Sequence, residues 1–196
     1  MLLIAAVALM RSFNTSMFMS GNIAFKRDLQ NQGERAATKV LASFRAGMPL
    51  ETDAARSADL KTSNYSATRL PSNAQGIPNA LQSDAAFLAK GVVTNDIDGT
   101  NEPSLLRQGV SVRYLVDRMA IAAGPCDDPT TCLMTTSSNP AGGSSSQWRS
   151  PTRSVSGGGA AGVKAIVTDT PVYRLTVRVT GPRDTQAFYQ TTFTAP

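Results

Sequence analysis

The first forty-four residues follow a helical pattern with two characters. Met1 to Met10, MLLIAAVALM, carries no polar side chain on any face. At Arg11 the pattern becomes amphipathic and continues to Phe44. Phe18, Phe25, Leu29, Ala36, Val40 and Phe44 recur at spacings of seven, four, seven, four and four, one stripe of a 3.6-residue period. Lys26, Arg27, Asn31, Glu34, Arg35 and Lys39 occupy the remaining surface. The pattern predicts one helix over 1–44. Residues 1–17 form a shaft suited to a lipid or protein core, and residues 18–44 dock on a head made by residues 45–196.

Beyond the helix the period shortens. Gly47, Pro49 and the polar residues after them predict the helix exit and a long irregular segment to Pro78. Asn79 is expected to cap a short helix through Lys90, with Gly91 at C′. Val110, Val112, Tyr114 and Val116 alternate with Ser111, Arg113 and Asp117, the pattern of a half-buried strand. Tyr173, Leu175, Val177 and Val179 alternate with Arg174, Thr176, Arg178 and Thr180 in the clearest strand of the chain. Gly181-Pro-Arg-Asp184 turns that strand into Thr185–Thr194, an antiparallel hairpin. Residues 137–162 hold eight Ser and six Gly, with Arg149 and Arg153 as the charges, and read as a flexible loop. Trp148 falls in that loop, where a tether folding back on the head is the expected role.

Ten apolar residues span roughly 15 Å, about half the hydrocarbon core of a bilayer. Residues 1–10 therefore do not make a membrane span, and no basic region or small-residue cleavage site marks them as a signal peptide. Two readings stay open. One is a buried N-terminal core helix. The other is a longer apolar segment, with a reading frame that extends upstream of Met1.

Composition narrows the chemistry. Charged residues make up 17% of the chain and the formal charge is +5, with no cluster of four or more cations, so nucleic acid is not an expected partner. There is no histidine, which excludes Ser-His-Asp and Cys-His nucleophilic systems and histidine-ligated metal centres. Gly157-Gly-Gly159 lies in low-complexity sequence and precedes no helix signal, so it is not a phosphate loop. The expectation is a protein that is not an enzyme and holds no cofactor or metal.

Cys126 and Cys132, in GPCDDPTTC, are the only cysteines and bracket a short polar loop, which suits a disulfide in an oxidising compartment. Free thiols are the alternative, and a metal site would need two further ligands. Asn95-Asp-Ile-Asp-Gly-Thr-Asn-Glu102 resembles the start of a calcium loop, with Asp96 and Asp98 before Gly99. Aligned on that glycine, the first ligand position falls on Thr94 and the twelfth on Leu105, so the EF-hand pattern fails. An Asp-Gly turn is the favoured reading.

Three segments together carry a resemblance. ALMRSFNTSMFMSGNIAF, residues 8–25, is similar to the N-terminal helix of PilX-type minor pilins of the type IV pilus, including its Gly21-Asn22-Ile23-Ala24-Phe25 step. VRYLVDR, residues 112–118, resembles an earlier strand of that family, and residues 173–190 resemble its closing hairpin. The match covers about a third of the chain, in order. The resemblance implies an α+β, type IV pilin-like fold, a long N-terminal helix packed on a small antiparallel sheet. It further implies a structural or priming subunit of the pilus in pilus biogenesis, twitching motility and adhesion. Its partners would be major and minor pilins and pilus assembly proteins, and its locations the bacterial inner membrane, with a periplasmic head, and the extracellular pilus. On that reading Phe25, Leu29, Val40 and Phe44 anchor helix to head, whereas Leu2, Leu9, Phe13 and Met17 face lipid and then neighbouring subunits. A leader ending in Gly and a Glu five residues into the mature helix, both features of the family, are expected from sequence upstream of Met1. The alternatives are an adhesin-like subunit acting through residues 126–162, and a pseudopilin of a type II secretion system. Deleting residues 137–162 separates the first from a structural role: loss of adhesion with normal piliation favours binding, and loss of piliation favours a structural subunit.

Overall fold

A computed structural model describes residues 2–93, 109–138 and 167–195. The chain opens with helix α1, Leu2–Ala42, of 41 residues. It ends two residues earlier than the apolar stripe suggests. The Ser43 hydroxyl donates to the Val40 carbonyl at 2.6 Å, and the amides of Ser43 and Phe44 donate to the carbonyls of Val40 and Leu41. Such i→i−3 bonds tighten and close a last turn. Phe44 lies past the helix yet stays buried, because the tightened turn still directs it at the sheet.

The sheet has five strands: β1 (Tyr65–Ser66), β2 (Ser111–Arg118), β3 (Met134–Ser138), β4 (Val167–Thr180) and β5 (Gln186–Thr194). Strand β4 is the spine. Its second half pairs antiparallel with β2 on one side and β5 on the other, and its first half pairs with β3. Strand β1 joins β2 in parallel, so the sheet is mixed but mostly antiparallel. The expected hairpin is present, turning through a single 3₁₀ turn at Pro182–Asp184. Residues 45–78 are more ordered than their composition suggests. They form two 3₁₀ turns, Ala55–Ser57 and Lys61–Ser63, and then β1.

Residues 79–90 depart from the expected helix. Asn79–Leu81 is a 3₁₀ turn, and helix α2 covers only Asp84–Lys90. Its cap is Ser83, whose side chain accepts from the Ala86 amide, the bond that fixes a helix start. Gly91 does not adopt the left-handed conformation of a C′ glycine. A Cβ there would stand 2.6 Å from the Asn64 side-chain oxygen, so a close approach explains the glycine.

Alternation along β2 and β4 sorts two cores onto the two faces of the sheet. Leu29, Ala36, Val40 and Phe44 of the helix meet Val112, Tyr114, Val116, Tyr173, Leu175, Val177 and Val179 on one face. Phe44 stands at the centre of a ring cluster, 5.0 Å from Phe193 and 5.2 Å from Tyr173, both edge-on. The Arg56 guanidinium lies over the rings of Phe44 and Tyr173 and pairs with Asp53 at 2.9 Å.

A half-buried strand leaves its opposite face to solvent, but along β2 and β4 that face is covered. Leu70, Leu81 and Phe87, carried by the segment between β1 and β2, cover Leu115 there. Arg174, Thr176 and Arg178, the polar half of the β4 alternation, are consequently buried. They survive burial because each arginine is given acceptors. Arg178 donates to the Leu81 carbonyl and pairs with Asp84, and Arg174 donates to the Leu70 carbonyl and pairs with Asp117. Arginines on the strands thus fasten the cover to the sheet.

Candidate assembly surface

Helix α1 reaches the head only at Phe25. From there Leu29, Gly33, Ala36 and Val40 are buried at helical spacing against β2, β4 and β5. The Phe25 ring packs on Gly181 at the hairpin turn, where a Cβ would lie 2.6 Å from it. Before Phe25 the helix runs clear of the sheet. Met10, Phe13, Met17, Phe18, Met19 and Ile23 are all between 51% and 77% exposed.

This changes one boundary. Phe18 belongs to the stripe by spacing, but it is 77% exposed, so the packed part of the helix starts at Phe25 and not at residue 18. The physical reason is position: the hairpin turn that receives Phe25 is the end of the sheet, and the stripe continues one step past it. Of the residues expected to face other molecules, Phe13 and Met17 are exposed. Leu2 and Leu9 lie in α1, but their side chains are outside the described ones. Phe25 is half-buried, and Leu29, Val40 and Phe44 are buried in the helix-side core.

Helix α1 and strand β5 meet through one tight contact. The Tyr189 ring lies on the backbone of Gly33, where a Cβ would stand 2.6 Å from it. Burial raises the Tyr189 phenol above its ordinary value, and the nearby Glu34 carboxylate adds to the effect. A groove of about 720 Å³ opens between α1 and β5. Ile23, Phe25, Leu29 and Ala187 line it together with Lys26 and Arg27. Sequence reading singled out neither Gly33 nor the groove. The glycine was the available signal, because an interior helical glycine costs about 1 kcal/mol against alanine unless a close approach requires it.

Cys126 and Cys132 are joined in a disulfide, with their Cα atoms 5.7 Å apart. The loop is held from inside by Asp128, which accepts from the Thr130 amide through its side chain and from the Cys132 amide through its carbonyl. It is held from outside by Gly124, whose amide donates to the Ser57 carbonyl. Residues 95–102, with Asp96 and Asp98, lie outside the described residues, as do residues 139–162 and Trp148. Residues 137–138, expected to begin the Ser/Gly loop, instead end β3.

Apolar side chains on an exposed helix, flanked by amides, hydroxyls and the cations Arg11, Lys26 and Arg27, can pack and can attract negative charge. No helix of the described residues is long and apolar enough to cross a membrane. The fold class is α+β, a long N-terminal helix on a mostly antiparallel sheet. No protein-family model, curated protein or solved structure matches the chain.

Proposed function

We propose that the chain is a minor pilin of the type IV pilus, similar to the PilX type, which primes the filament or is incorporated into it. One observation carries this reading: a single helix is buried from Leu29 to Val40 and exposes six large apolar side chains from Met10 to Ile23. Large exposed apolar patches on a folded protein mark interaction surfaces. Covering these six would release on the order of 10 kcal/mol before the costs of association are subtracted. The residues 8–25, 112–118 and 173–190 that resemble the family fall on α1, on β2 and on the β4–β5 hairpin. Those are the parts a helix-on-sheet subunit needs.

In this reading the head folds in the periplasm while the N-terminal helix holds the precursor at the inner membrane, and the exposed rod then packs among pilin helices in the fibre. The disulfide accords with an oxidising compartment. Filaments sheared from the source bacterium should contain the chain when probed by mass spectrometry. Deleting its gene should reduce the number of pili. Normal piliation without the gene, and sheared filaments lacking the chain, would refute the proposal.

A further inference from the structure

We infer that the outer edge of β5 takes an extended strand of another protein, one that carries a basic residue and, four residues later, an acidic one. The inference stands on the head and goes beyond the pilin reading. Among the described residues β5 pairs only with β4. Val172 of β4 turns its backbone away from β5: its amide donates to the Leu133 carbonyl, and its carbonyl accepts from the Met119 amide. Its partner Thr194 therefore points its own amide and carbonyl outward, and by alternation so do Thr192, Gln190, Phe188 and Gln186. The cover reaches β5 through its face, where the Gln190 side chain donates to the Gly76 carbonyl at 3.1 Å. Strand β5, QAFYQTTFT, holds no charged residue and no proline, the devices that keep an edge strand unpaired. Such an edge is a template for another strand.

The hollows beside this edge select the partner. Tyr189 and Gln30 divide the space between α1 and β5 into the groove described above and a second hollow of about 150 Å³, lined by Leu175 and Val177. A strand added to β5 turns every second side chain to the helix side, opposite Ala187, Tyr189 and Thr191. Ala187 lines the groove with Lys26 and Arg27, and Thr191 lines the second hollow with Glu34. The rise from Lys26 to Glu34 along α1 is about 12 Å, and four strand residues cover about 13 Å. An acidic residue opposite Ala187 and a basic one opposite Thr191 therefore each meet the opposite charge. In the antiparallel pairing, the more stable per residue, the basic residue comes first. A second copy does not offer this strand through its edges. Strands β1, β3 and β5 each pair on one side only, and none carries a charged residue.

The test is amide hydrogen exchange on the full chain in mild detergent, with two capped peptides as probes, TVTKTVTET and its charge-swapped counterpart TVTETVTKT. In the free chain the amides of Phe188, Gln190 and Thr192 should exchange fast, whereas those of Tyr189 and Thr191, which face β4, exchange slowly. The first peptide should slow the three outward amides at least tenfold and bind at least tenfold tighter than the second. The K26E/R27E/E34K chain should reverse that preference. Thr192→Pro removes one outward amide and should abolish binding, with thermal melting to verify that both variants are folded. No protection by the first peptide, or equal binding of the two, would overturn the inference. So would outward amides that are already slow in the free chain, since the chain itself or a second copy would then fill the edge. None of these outcomes bears on whether the chain is found in filaments, so failure here leaves the pilin reading to its own test.

Discussion

Asp117 and Arg174 face each other across the β2–β4 ladder as a two-point ion pair, Nε to Oδ1 at 3.0 Å and Nη2 to Oδ2 at 2.5 Å. Both are buried, and both also bind Leu70: the carboxylate accepts from its amide at 2.9 Å and the guanidinium donates to its carbonyl at 3.2 Å. The pair fixes the start of the segment that covers the second face of the sheet. Breaking a buried pair from one side leaves an uncompensated charge, which costs about 3–5 kcal/mol. Asp117→Asn should lose stability on that scale in urea unfolding. Asp84→Asn should cost less, because Asp84 is largely exposed and the buried Arg178 keeps the Leu81 carbonyl as an acceptor. Equal losses in the two variants would contradict this account of the cover.

Gly33 and Tyr189 should behave as a coupled pair. Gly33→Ala gains up to about 1 kcal/mol of helix propensity, but its methyl group must displace the Tyr189 ring, and overpacking costs about 1–3 kcal/mol. A net loss is expected with Tyr189 present. In a Tyr189→Ala background the same change should become neutral or stabilising. A double-mutant cycle with no coupling would show that the contact does not set the position of the helix on the sheet.

Stability should decline at alkaline pH. Burial, the larger effect, raises the phenols of both Tyr65 and Tyr173 above their ordinary value of 10.0, so the folded state keeps protons that the unfolded state releases. A raised folded value means the contribution is complete below pH 10 and is lost as pH rises beyond it. Tyr173→Phe should flatten the fall in stability between about pH 10 and 12, as read from denaturant midpoints. An unchanged slope would exclude Tyr173 as a source.

Reduction should be tolerated. The Cys126–Cys132 bridge closes a short loop, and the chain-entropy scale assigns such a loop about 2 kcal/mol. Cys126→Ser with Cys132→Ser should lower the unfolding free energy by about that amount or less and leave the sheet intact by circular dichroism. Loss of the fold would mean that the loop does more than restrict the unfolded chain.

Much of this fold was legible in the sequence, for reasons that also explain what was not. The helix, β2 and the β4–β5 hairpin each bury one face, so their periods of 3.6 and 2 are written in apolar residues such as Leu29, Val116 and Val177. The cover over the second face left no such trace. Arg174 and Arg178 stand where a solvent-facing strand would also place arginine, and only the distant Asp117 and Asp84 reveal that they are buried. Strand β1 has two residues, too few for any period. Asn79 and Ser83 are both good helix caps, and the choice between them was made by tertiary context, since Asn79–Leu81 is held in a 3₁₀ turn. At the assembly surface, the apolar character of Phe13 and Met17 was readable, but the point where packing begins was not. Phe18 and Phe25 are equivalent in the period, and only the position of Gly181 separates them.

The central claim of the pilin proposal is that one helix carries two jobs on two stretches, and paired variants in the producing organism test it most directly. Phe44→Ala removes the middle of the ring cluster and should cost the head about 3–5 kcal/mol. Phe13→Asp changes an exposed side chain and should leave the melting temperature of the head unchanged. The deciding measurement is the amount of the Phe13→Asp chain in sheared filaments relative to the amount in the cell. The account predicts a stable, folded protein that is largely excluded from the filament. Incorporation of Phe13→Asp at the wild-type ratio would contradict it.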